Sequence, residues 1–155
     1  MSDKGHVAHF NWGILRAGWE DPMVAEFVAG LDRVNAIAAR APGFVWQMPE
    51  DQMEAEQADM PQFGPAERVA SSLSVWERAA DLDHFVHQTL HARFMAKKAA
   101  WFEDLEKPQY VLWPIDIGVR PTIADATRAR DTYRRIGPSA AAYDFSWARA
   151  QAGLA

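Results

Sequence analysis

The order in which the hydrophobic period of this chain switches between strand and helix leaves few folds open to it. His6 to Leu15 alternate: Ala8, Phe10, Trp12 and Ile14 point one way, Val7, His9, Asn11 and Leu15 the other. Asp21-Pro22 then sets a helix start, with Asp21 as cap and Pro22 at the first helical position. From Met23 to Ala41 an apolar stripe recurs at helical spacing through Phe27, Val28, Leu31, Val34, Ile37 and Ala38, and Pro42-Gly43 stops it. Phe44 to Met48 and Val69 to Trp76 predict two further strands. They are separated by an acidic stretch, 49–67, read as a long loop, of a length that in compact domains is usually functional or mobile. A second helical region runs from Glu77 to about Phe102, with a change of phase near Thr89. Tyr110 to Ile115 predict a fourth strand and Thr122 to Ile136 a last helix, stopped by Gly137-Pro138.

The order strand, helix, strand, strand, helix, strand is the split βαβ arrangement of an α+β, ferredoxin-like protomer, here with an extra C-terminal helix. The length, 155 residues, fits a single domain spanning 1–155, with a core at about 6–136 and a tail at 137–155. In the tail only Tyr143, Phe145 and Trp147 offer apolar anchors. Helices on one face of a four-stranded sheet leave the other face bare, and a two-fold copy of the chain covers it most economically. The expectation is a homodimer.

Composition narrows the function classes. The net charge of −5 and the lack of a basic patch exclude a nucleic-acid partner. The absence of cysteine removes disulfides, thiolate metal sites and a cysteine nucleophile, and suits a reducing compartment. No apolar run is long enough to span a membrane and Met1 to Gly5 do not resemble a signal peptide, so the expected location is cytoplasmic. There is no phosphate-binding glycine loop, no nucleophile elbow and no H-E-x-x-H.

The segments Phe10-Asn11-Trp12, Ala41-Pro42-Gly43-Phe44-Val45-Trp46, Ser72-Leu73-Ser74-Val75-Trp76-Glu77, His91-Ala92, Trp101-Phe102 and Gly118-Val119-Arg120-Pro121-Thr122 occur in that order. Together they resemble the bacterial domain-of-unknown-function family numbered 3291, over roughly residues 7 to 147. The resemblance implies a place among the dimeric α/β-barrel proteins, in which two protomer sheets pair into a barrel. That superfamily includes antibiotic-biosynthesis-type monooxygenases, haem-binding and haem-degrading enzymes, and small-molecule isomerases and dehydratases. The family implies no agreed activity.

The candidate site residues are polar groups among aromatics. His91 has the unperturbed pKa of a proton shuttle, and the resemblance matches it to the family pattern, whereas the position of His87 is often an aromatic there. His87 and His91 share a helix face, but two ligands do not make a metal site, and no metal is expected. His9 and Asn11 project from one face of the first strand, and Ser72 and Ser74 from one face of the third, as orienting groups for a mostly apolar pocket. Seven tryptophans supply flat surfaces; Trp12, Trp76, Trp101 and Trp113 are the candidates for stacking on an aromatic substrate, although core packing accounts for most of them.

Three readings stay open. The first is a small-molecule enzyme running cofactor-independent, monooxygenase-like or proton-transfer chemistry on an apolar or aromatic substrate, with His91 as acid or base and His9 and Asn11 orienting. The second is a haem protein with His91, or else His87, as axial ligand. The third is a non-catalytic homodimeric binding module.

Overall fold

The computed structural model describes residues 5–57, 68–88, 98–103 and 109–152. Its strands are β1 (His6–Ile14), β2 (Phe44–Gln47), β3 (Val69–Trp76) and β4 (Tyr110–Ile115). Its helices are α1 (Ala25–Arg40), α2 (Glu50–Gln57), α3 (Ala79–Gln88), α4 (Lys98–Trp101), α5 (Ile123–Ile136) and α6 (Phe145–Ala152). The strands form one antiparallel sheet in the order β2-β3-β1-β4. With its helices this is the α+β, ferredoxin-like arrangement that the periodicity predicts.

Local chemistry sets the boundaries. The Asp21 side chain accepts from the Met23 N–H, and a short 3-10 turn at Pro22–Val24 leads into α1. Gly43, after α1, adopts φ +84°, and a Cβ there would overlap the Asp81 carboxylate. Thr122 caps α5 in a reciprocal box with Asp125. Gly137, at φ +77°, ends it.

Two sequence expectations need correction. Part of the stretch read as a loop is helical: α2 places Glu50 and Asp51 in its first turn, as the dipole favours, and buries Met53. A helix this polar shows no apolar stripe, so periodicity missed it. Residues 58–67, the rest of that stretch, lie outside the described residues.

The second correction concerns the bare sheet face. Ala8, Phe10, Trp12, Leu73, Val111 and Trp113 form that face, and the chain covers it with Ile123, Ala126 and Ala129 of α5 and Met53 of α2. The alanines let α5 lie close to the sheet. The Ile123 N–H bonds the Glu56 carboxylate, and the Arg120 guanidinium lies 5.5 Å from the Trp46 ring centre, so the connection into α5 is anchored over β2. A partner on this face no longer follows from an uncovered sheet.

The opposite face carries two apolar clusters. One holds Val34 and Ala38 of α1, Trp76, Leu82 and Phe85, Leu112, and Tyr143 and Phe145. The other gathers Leu15, Val24, Phe27, Ala70 and Trp101. The tail is therefore part of the packed structure: Tyr143 exchanges two 2.8 Å backbone hydrogen bonds with Leu112 on β4, and α6 follows. Trp147 packs against the same cluster. No helix among the described residues is long and apolar enough to cross a membrane.

Candidate functional site

Between the two clusters, on the side of the sheet that faces α1 and α3, runs a polar stripe. Register makes it: His9 on β1 stands opposite Ser74 on β3, and Asn11 opposite Ser72. His9 and Ser74 are 6% and 7% exposed, so these polar groups belong to the interior. The Asn11 side-chain oxygen accepts from the Ser72 backbone N–H at 3.1 Å and from its hydroxyl at 2.8 Å. The Trp76 indole N–H donates to Ser74 Oγ at 3.1 Å, which leaves the Ser74 proton for another acceptor.

Two residues that sequence reasoning passed over extend the stripe. Gln47 on β2 pairs in register with Ser74, and its amide N–H donates to Asn35 Oδ1 on α1 at 3.3 Å. A bulge between Phe44 and Trp46 shifts the parity of β2 and hides Gln47 from an alternation count. Asn35 did leave a signal, since it lies four residues past Leu31 along the apolar side of α1.

Tyr110 and Phe145 close the β4 side. Their rings stack at 5.0 Å and stand 6.1 and 6.4 Å from the His9 ring. Tyr110 Oη accepts the Phe145 backbone N–H at 3.0 Å. Burial pushes the Tyr110 phenol above its ordinary value, and the Phe145 N–H pulls the other way. Tyr110 was visible only as a strand residue; its nearness to His9 is a product of register, which the sequence does not print.

The structure brings His9, Asn11, Ser72, Ser74 and Trp76 onto one face. Trp12 and Trp113 lie on the other face, where Trp12 stacks on Phe10 at 5.5 Å and Trp113 pairs in register with Ala8. Trp101 packs against Phe27 in the cluster at the sheet's end. His87 sits on the exposed side of α3, its Nδ1 2.7 Å from Asp83 Oδ1 and 3.0 Å from the Asp83 carbonyl. Both neighbours are acceptors, so Nδ1 carries the proton. The 3.5 Å approach of Arg149 Nη2 to that nitrogen then reflects a shared carboxylate, not a bond. His91, named for acid-base and for haem-ligand roles, lies outside the described residues. Among the described residues no three His, Asp or Glu side chains gather as a metal-binding group.

An open groove of about 680 Å³ lies elsewhere, between β4 and α5, lined by Trp113, Ile115, Val119, Ala129 and Arg128 among others. It lies on the flank away from the polar stripe. The stripe, with His9 and Ser74 buried and its other polar groups part-buried, is the stronger candidate, because polar groups at mutually fixed positions are what orients a reacting molecule.

Chemically, the stripe offers hydroxyl and amide groups to hold a substrate oxygen, an imidazole to hold or move a proton, and aromatic walls on both sides. Two solved structures are similar to this chain. SnoaB, a cofactor-independent oxygenase from Streptomyces nogalater, aligns over 77% of this chain and 97% of its own, at 17% identity and a TM-score of 0.47. NE2512, a protein of unknown function from Nitrosomonas europaea, aligns over 77% and 98%, at 13% identity and a TM-score of 0.50, a likeness of fold. No curated protein matches the chain. A family model described as a domain of unknown function, DUF3291, matches residues 6–154, and the protein belongs to that family.

Proposed function

We propose that this protein is a small-molecule enzyme that takes a proton from carbon on an aromatic or aryl-carbonyl substrate held between sheet and helices. One observation carries the reading: a buried histidine, His9, shares a sheet face with Asn11, Ser72 and Ser74 between two aromatic clusters. His9 serves as the base. The Ser74 hydroxyl and the Asn11 and Gln47 amides bind the substrate oxygen as charge moves onto it. His91 is a second candidate for the proton-carrying group.

The carbanion has two fates, and both suit this site. It recovers a proton at another carbon, which is isomerisation. Or it passes electrons to dioxygen: a CH2 becomes C=O as O2 takes four electrons and leaves one oxygen as water. Neither fate needs a bound cofactor. The protein acts as a homodimer in this reading, as the family resemblance implies.

The test is solvent-deuterium uptake by 1-indanone and 1-tetralone, followed by mass spectrometry, with an oxygen electrode run in parallel. The wild-type protein should accelerate uptake over buffer, and His9→Gln should slow it by about 10²- to 10⁴-fold, as for loss of a general base. Uptake no faster than buffer across the panel, or a His9→Gln variant as fast as wild type, sinks the assignment. In that case the mutual bonding of Asn11 with Ser72 and of Gln47 with Asn35 favours a closed, non-catalytic module.

A further inference from the structure

Of the two rings that close the stripe on its β4 side, Tyr110 belongs to the sheet and Phe145 to the segment that follows it, and Phe145 is held from several sides. Phe145 is 7% exposed and touches three aromatic neighbours: it stacks on Tyr110, meets the edge of His87 at 5.3 Å and stands over His9. Its backbone is fixed, because Tyr143 is bridged to Leu112 and the Asp144 carboxylate caps α6 while accepting the Tyr133 hydroxyl. Its side chain is held from outside by Arg149, one helical turn on, whose guanidinium lies 5.9 Å from the Phe145 ring centre. Arg149 is in turn gripped by Asp83 on α3 through two hydrogen bonds, of 2.7 and 2.8 Å.

We infer that Phe145 is an aromatic gate over His9, latched shut by the Asp83–Arg149 pair. The inference rests on the site reading above for what the gate guards. The backbone anchors mean that opening needs only a side-chain rotation of Phe145, not a movement of the helix. The latch is built for release: the Arg149 side chain is 55% exposed, and an exposed ion pair is weak and screened by salt. An approaching anionic or enolic group that draws Arg149 off Asp83 would free the ring at the moment of entry.

The test needs no substrate, so it fails or succeeds separately from the deuterium assay. His9 carbethoxylation by diethyl pyrocarbonate is timed by tandem mass spectrometry on the full chain, with exposed His84 as internal reference. Arg149→Ala should raise the His9 rate by up to about fivefold, the scale of losing one such pair, and Phe145→Ala should raise it at least as much because the ring itself is gone, with His84 unchanged. Raising salt to about 1 M should speed His9 modification in wild type but not in Arg149→Ala. If the arginine variant does not fold, the salt series on wild type and Phe145→Ala decide. A His9 rate that ignores salt and the Phe145 substitution overturns the gate. So does a rise that comes with equal loss of amide protection throughout β1, because that is unfolding.

Discussion

Asn11 and Ser72 face each other across β1 and β3, and a single amide oxygen of Asn11 takes both the N–H and the O–H of Ser72. Two part-buried donors therefore depend on one acceptor. Asn11→Ala should destabilise the fold by about 1–3 kcal/mol, because both donors lose their partner away from water. Ser72→Ala removes the hydroxyl together with its need, and should cost about 1 kcal/mol or less. The double variant should be less destabilised than the sum of the two. Urea titrations of the four proteins check this, and strict additivity would show that the pair is not coupled.

Tyr133 predicts a change at high pH. Its hydroxyl donates to Asp144 Oδ2 at 2.6 Å, and burial, with that carboxylate, pushes the phenol up to about 12. The folded state therefore holds this proton more tightly than the unfolded chain, whose tyrosine titrates near 10. The stabilisation is complete below about pH 10 and is lost as pH rises towards 12. With the ring partly exposed, the effect after solvent screening is on the order of 1 kcal/mol. Melting temperature against pH should fall less steeply above pH 10 in Tyr133→Phe than in wild type, and parallel curves would remove the residue from the titration.

Much of this architecture could be read from residues. Strand β3 at Val69–Trp76, β4 at Tyr110–Ile115 and the cap at Asp21 follow from alternation, turn chemistry and a side-chain acceptor, all of them local signals. The burial of α5 against the sheet was not legible, because a helix with an apolar side does not say which surface receives it. That is why the sheet face was read as bare. Among the candidate residues, that His9 and Asn11 share one face of β1 and Ser72 and Ser74 one face of β3 was legible, because parity alone puts each pair together. Gln47 was lost to a bulge, and Tyr110 and Phe145 to register and tertiary packing. Trp12 shares a strand with His9 but an even number, and the sheet separates them.

Gly13 is a test of how tightly the end of the site is packed. A Cβ at this position would lie 2.6 and 2.8 Å from two ring carbons of Phe102, which packs edge-on against Phe27 at 5.0 Å. Gly13→Ala should therefore destabilise by about 1–3 kcal/mol through overpacking. Adding Phe102→Leu should recover part of that loss, since the smaller side chain yields the space. If Gly13→Ala unfolds at the same urea concentration as wild type, the ring moves aside freely and the contact is not limiting.

Asp83 predicts the behaviour in acid. The Arg149 hydrogen bonds, foremost, hold its carboxyl below the usual carboxylate range, against the opposing effect of burial, and the His87 ring adds to the lowering. A depressed folded pKa means that the stabilisation is present above the unfolded value near 3.9 and is lost as pH falls through the folded one. At neutral pH the pair should contribute no more than about 1 kcal/mol, because Arg149 is largely in solvent. Urea midpoints measured between pH 7 and pH 2 should fall more steeply in wild type than in Arg149→Ala, with the divergence confined to the acid side of about pH 4. Salt should shrink the gap between the two proteins at neutral pH. Equal acid sensitivity in both would mean that Asp83 draws its stabilisation from α3 alone, and that α6 is held by Phe145 and Trp147 without help from charge.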